Sequence, residues 1–224
     1  MRAPRDLADI AADILERLRA RRPRVHCLTN AVAQTLTPNV LLAAGAVPSM
    51  TVAADEIAAF VAGADALLIN LGTLDPERRR AAGIAVDVAA ERGIPWVLDP
   101  VFVDRSVARA AFARALAERR PSAMRLNRAE FRVLAAAEPS PETLVSFAQE
   151  SGAVIGLTGE TDLVADATRS ATLSNGDPLM AKITAMGCAG SALVAACLAV
   201  EPDPWHATAA GLLVLGVAGE IAAA

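Results

Sequence analysis

The sequence has no excess of positive charge: 21 lysines and arginines stand against 25 aspartates and glutamates, giving a formal charge of −4 and a pI near 5.3. A nucleic-acid partner normally demands a basic face, so that class is set aside in favour of a small soluble ligand. Long apolar runs are also lacking. The longest uncharged stretches, Ala189 to Val200 and Ala207 to Gly219, fall short of the roughly 20 residues of a membrane helix. Buried core helices are expected there, and no membrane partner. Arg2, Arg5 and Asp6 have no apolar stretch behind them, so no secretory signal is expected. Cysteine is sparse, three residues without a CxxC pair, which excludes a disulfide framework or zinc ribbon and points to a reducing compartment, the cytoplasm. The sequence contains no HxH, HExxH, GxSxG, GxxxxGKS or GxxxxGKT, and no GxGxxG after its first strand. Zinc hydrolases, α/β-hydrolases, P-loop enzymes and dinucleotide dehydrogenases thereby lose their signatures.

What is present is a hydrophobic fraction of 54% over 224 residues, much of it alanine. That length and composition fit one compact α/β domain, 1–224. Helix-period runs alternate with short apolar runs. An amphipathic helix spans Pro4 to Arg22 and a buried strand Val25 to Thr29. A helix near Pro38 to Ala44 is closed by Gly45, and a short strand ends at Ser49 and Met50. After a helix from about Asp55 to Ala62, the strand Ala66 to Asn70 stops at Gly72 and Thr73. Asp75, Pro76 and Glu77 then open a helix with a capping side chain, proline in the first turn and an acid at the positive end. That helix ends at Gly93, and a strand from Pro95 to Leu98 delivers Asp99.

Helices from Ser106, Asn127 and Ser140 alternate with strands at Met124 to Leu126 and Ala153 to Thr158. Asp162 to Ala165 and Ser170 to Leu173 read as a strand pair. From Gly187 the chain is helical nearly to its end, broken near Pro202 and Pro204. The pattern predicts a mainly parallel sheet with helices on both faces, whose ligands bind beyond the carboxyl ends of the strands. Asn30, Met50, Asn70, Gly72, Thr73, Asp99, Asn127, Glu130 and Thr158 stand at those ends.

Two groups there carry chemistry. Asp99 and Glu130 suit a nucleotide-bound magnesium ion, which takes one or two carboxylates and keeps much of its water. The plainer reading has Asp99 cap a turn before Pro100 while Asn127 and Glu130 form a capping box. Arg125 ends a strand where its guanidinium would meet phosphate, or solvent. Thr158 and Gly159 either bind phosphate or shape a turn. The second group is the run Met180 to Ser191, a small-residue loop feeding a long apolar helix. Its free amides and helix dipole suit an anion, and the same field would favour the thiolate of Cys188 in the first turn. An inert buried cysteine is the alternative there, and it is the reading given to Cys27 and Cys197. His26 and His206 have no partner at metal or triad spacing and are read as structural.

The segments VHCLTN, NVLLAAGAVPSM, INLGTL, LDPV, RLNRAEF, LTGETDLV and NGDPLM through TAMGC, in this order over nearly the whole chain, together resemble hydroxyethylthiazole kinase. The resemblance implies a ribokinase-like three-layer α/β/α fold without a lid domain, assembled as a homotrimer with sites between subunits. It also implies ATP- and magnesium-dependent phosphorylation of the alcohol of 4-methyl-5-(2-hydroxyethyl)thiazole in thiamine salvage. On this basis Cys188 is the expected catalytic residue, standing where most ribokinase-like enzymes have an aspartate base. Met50, Asn30, Ala185 and Gly187 lie on the substrate side, Arg125, Thr158 and Asn127 on the ATP side, and Asp99 and Glu130 on the metal side.

The sequence departs from the family pattern at Ala185 and Met186, where the family has glycine and threonine, and at Phe102 and Asp104, where it has glycines. It also stops at Ala224, before the family's usual final helix. The alternatives are a kinase for another heterocyclic alcohol of the hydroxymethylpyrimidine type, a nucleotide-repair dehydratase of the same fold, or a binding module that senses thiazole or nucleotide without transfer. The first two normally carry aspartate where Cys188 stands.

Overall fold

A computed structural model describes residues 6–224; Pro4 and Arg5, at the head of the expected opening helix, lie outside them. Eight strands form one sheet in the order β2-β1-β3-β4-β5-β6-β7-β8. They are β1 (Arg24–Leu28), β2 (Val47–Ser49), β3 (Ala66–Asn70), β4 (Trp96–Asp99), β5 (Ala123–Asn127), β6 (Val154–Thr158), β7 (Asp162–Ala165) and β8 (Ser170–Leu173). The first six are mutually parallel, and β7 and β8 add an antiparallel extension.

Alternation within the strands sorts the core into two layers. In β3, Ala66 and Leu68 face one side while Leu67 and Ile69 face the other, all fully buried. The first side is covered by α1 (Leu7–Arg21), α2 (Leu36–Ala44), α8 (Met186–Leu198) and α9 (Pro204–Ala223). The second is covered by α3 (Ile57–Ala62), α4 (Pro76–Arg92), α5 (Val107–Ala117), α6 (Arg128–Ala135) and α7 (Pro141–Ser151). This is a three-layer α/β/α body, as the sequence pattern predicts.

Local chemistry sets the helix starts. Asp6, Asp75, Ser106, Asn127 and Ser140 each accept a backbone N–H three residues ahead, contacts worth about 1 kcal/mol apiece. Helix α9 departs from expectation. It runs for 20 residues, and an 18-residue window of it has mean hydropathy 1.5, long and apolar enough to cross a membrane by length and composition alone. Here Trp205 and the run Ala207 to Leu212 are buried against α8, α1 and the sheet. The charge-free count missed its length because the helix begins at Pro204, before the apolar run, and continues past Glu220.

Strand order reverses between β1 and β3: the chain leaves β1 for β2 on one side and returns to β3 on the other. Such a switch point opens a crevice beyond the strand ends. Asn30 follows β1 and Asn70 ends β3, so the pair flanks that crevice.

Candidate active site

Asn30 and Asn70 are joined across the crevice by a 3.0 Å bond from Asn30 Nδ2 to Asn70 Oδ1. Asn30 Nδ2 also donates to Cys188 Sγ at 3.1 Å. On the other side, Asn70 Nδ2 donates to Asp99 Oδ2 at 2.6 Å, and Ser191 Oγ donates to the same oxygen at 2.8 Å. The ends of β1, β3 and β4 and the first turns of α8 are thereby tied into one cluster. Asn30, Asn70, Asp99 and Ser191 are all buried. The approach needs a bare backbone at Gly72, because a β-carbon there would lie 2.6 Å from Asn30 Cβ.

Asp99 uses only one of its oxygens. Oδ1 is buried and has no hydrogen-bond partner, which a simple turn cap would not leave. Burial first, opposed by Arg125, and then the charge of Glu130 push its carboxyl up to about 6. Glu130 completes the predicted capping box, with Asn127 N–H donating to Oε2 at 2.8 Å and Glu130 N–H to Asn127 Oδ1 at 2.9 Å. The backbone N–H of Phe102 holds Oε1 at 3.1 Å. Phe102 is exposed and sits at φ +61°, so the glycine expected from the family at this position would be the less strained residue.

Helix α8 starts from Ala185 at φ +67° with no side-chain cap. Apart from Met186 N–H, which reaches Ile183 O at 3.4 Å, its first-turn amides therefore lack both a side-chain cap and the intrahelical acceptors that later residues enjoy. Arg125 lies directly on this turn: a β-carbon at Gly187 would come within 2.6 Å of its Nη1. The cation thus faces the positive end of α8 with Asp99 and Asp162 in electrostatic reach. Such an arrangement is stable only with anions nearby. Thr158 stands opposite Asn127 in the β5–β6 register, and its Oγ1 reaches Leu126 O at 3.4 Å. Met50 follows β2 and packs on the core layer of α1 and α8.

One expectation is reversed. The field at the start of α8 was expected to favour the Cys188 thiolate, yet the thiol is raised above its ordinary value. Burial is the largest cause and the Asp99 charge the second, outweighing hydrogen bonds from Asn30 and Asn70 and the attraction of Arg125. Cys27 and Cys197 are buried and pushed up to about 12, the inert pair the sequence predicts. His26 is structural as expected, bonded to Ser49 Oγ and Thr51 O. From sequence Asn70 is only a strand-end residue with no assigned role, and Ser191 escaped selection as a site residue. A lone serine in an apolar helix, three residues after Cys188, was the available signal.

The architecture is the ribokinase-like fold. A ribokinase-like superfamily protein from Enterococcus faecalis V583 superposes with a TM-score of 0.70 at 15% identity, covering 94% of this chain and 86% of its own. The hydroxyethylthiazole kinase family model matches residues 15–224, and the chain belongs to that family. It is 44% identical over 95% of its length to a probable hydroxyethylthiazole kinase from Agrobacterium fabrum, of which 81% is covered. The hydroxyethylthiazole kinase structure from Pyrococcus horikoshii OT3 superposes with a TM-score of 0.92 at 35% identity over 96% of this chain and 85% of that one. The protein is therefore a kinase, a phosphotransferase with an alcohol as acceptor.

Proposed function

We propose that the protein transfers the γ-phosphoryl group of ATP to the primary alcohol of a 5-(2-hydroxyethyl)thiazole, in thiamine salvage, within the cytoplasm. The observation that carries the reading is Cys188 at the open start of α8, bonded through Asn30 to the crevice and flanked by Arg125. In phosphoryl transfer the protein mainly positions the groups and offsets charge. The amides of Ala185 to Cys188 and the Arg125 guanidinium receive the transferring phosphoryl. Thr158 and Asn127 border the nucleotide, and Met50 with Asn30 borders the thiazole side. Cys188 Sγ orients the attacking hydroxyl and takes its proton late. The free protein holds it as the thiol; when the charge on Asp99 is offset it releases that proton to solvent, and the thiolate is the form that accepts the hydroxyl proton.

Asp99 Oδ1 fits a divalent cation, being a buried, unbonded carboxylate oxygen beside a second acid. With Glu130 it would hold magnesium largely through water, and magnesium when bound supplies charge neutralisation to the nucleotide phosphates. The single domain is read as one subunit of a homotrimer. Supporting this, the edge strand β2 and α3 expose Val47 and Phe60 around a groove of about 350 Å³.

A panel of thiazole and pyrimidine alcohols, assayed for ATP consumption and phosphorylated product, tests the reading. Hydroxyethylthiazole should give the highest kcat/KM. Preference for a hydroxymethylpyrimidine, or binding without turnover, overturns it.

A further inference from the structure

The geometry points to Asn70, seated against Gly72, as a positioning residue: it holds the Asn30 amide so that an N–H is presented to Cys188 Sγ. This rests on the reading of Cys188 given above. The direction of every bond in the relay is fixed by the main chain. Gly72 N–H donates to Asn70 Oδ1 at 3.0 Å, and Ala33 N–H donates to Asn30 Oδ1 at 3.0 Å. A backbone N–H can only donate, so both side-chain oxygens are identified and neither amide is free to flip. The nitrogen of Asn30 is then the group facing both Asn70 Oδ1 and the sulfur.

Two consequences follow for the sulfur. It accepts from Asn30, so its own proton, when present, points elsewhere. The fixed donor stabilises the thiolate, the form that can take up the hydroxyl proton, more than the neutral thiol, so it makes the proton acceptor available. Both amides are buried, so water does not replace the donor if it is lost. Asn70 is the keystone because its Oδ1 holds Asn30 while its Nδ2 holds Asp99 Oδ2. It thus sets the sulfur on the substrate side and leaves Asp99 Oδ1 unencumbered on the other. A residue that merely finished β3 would affect stability and not the sulfur.

Asn70→Ala and Gly72→Ala test this together, since the second leaves Asn70 in place but drives a methyl group into Asn30. The readouts are kcat, the KM for ATP, thermal stability, and the rate of iodoacetamide alkylation at Cys188, located by mass spectrometry. Both variants should lose about 30-fold or more in kcat, with the KM for ATP within about threefold and alkylation of Cys188 slowed several-fold. Should Asn70→Ala fail to fold, Gly72→Ala decides on the same readouts. A variant that melts earlier yet keeps the parent's kcat and alkylation rate overturns the proposal. Failure of the Cys188 reading is distinguishable: Cys188→Ser would then keep the parent's turnover, while alkylation in the Asn70 variant still reports whether the sulfur was held.

Discussion

The two ends of α8 carry one cysteine each and treat it differently. Cys197 lies in the last turns, among Ala195, Ala196 and Leu198, all buried, and burial, opposed only in part by the Arg17 charge, raises its thiol to about 12. Cys188 lies in the first turn, partly accessible, with an amide donor on its sulfur and Arg125 close enough to oppose the rise. The same helix thus holds an inert thiol and an addressable one. What separates them is a polar cluster assembled from three strands, rather than the dipole of the helix itself.

The sharpest way to break the comparison is to remove the sulfur at each end. Cys188→Ser should lower kcat by about 100-fold or more, the usual scale of a lost proton-transfer group, with ATP binding nearly unchanged. Cys197→Ala should keep kcat and lose only stability. Steady-state kinetics beside a thermal melt distinguish the two, and undiminished turnover in Cys188→Ser sinks the proposed role. A smaller effect is expected from Gly187→Ala. The added methyl group displaces the Arg125 guanidinium, and a charge-assisted contact of about 1.5–3 kcal/mol corresponds to a rise in the KM for ATP of about tenfold or more.

The smallest effect is in pH. A thiol raised by burial contributes stability that is present below its unfolded pKa near 8.5 and is lost as pH climbs toward the folded value. Between about pH 8.5 and 9.5 each fully buried cysteine should therefore cost about 1 kcal/mol. Urea melts at both pH values should show a shallower loss in Cys197→Ala than in the parent. An equal slope would mean that Cys197 is not buried as a thiol.

Much of this was legible beforehand, because local rules govern it. The bounds of β3, β7 and β8, the caps at Asp75, Ser106, Asn127 and Ser140, and the Asn127–Glu130 box all follow from neighbours within a few residues. Proximity to strand ends likewise pointed to Asp99 and Arg125, and the small-residue loop before α8 pointed to Cys188. The short 3-10 turns at Ala31–Ala33, Val103–Arg105 and Pro178–Lys182 were not foreseen, nor was the box partner of Ser140, which is Thr143 rather than an acid. The thiol shift and the Ser191–Asp99 bond depend on burial and on residues 92 positions apart. No local pattern carries those.

The placement of α1 against α9, and of α8 across β1, β3 and β4, also constrains how the molecule is made. Strands β1, β3 and β4 emerge from the ribosome long before the helices that roof them on that side. The nascent chain must therefore hold an apolar sheet that α1 and α2 cover only in part until α8 and α9 have been made. The interval before α8 and α9 seal that face is the stage at which the sheet is most open to aggregation.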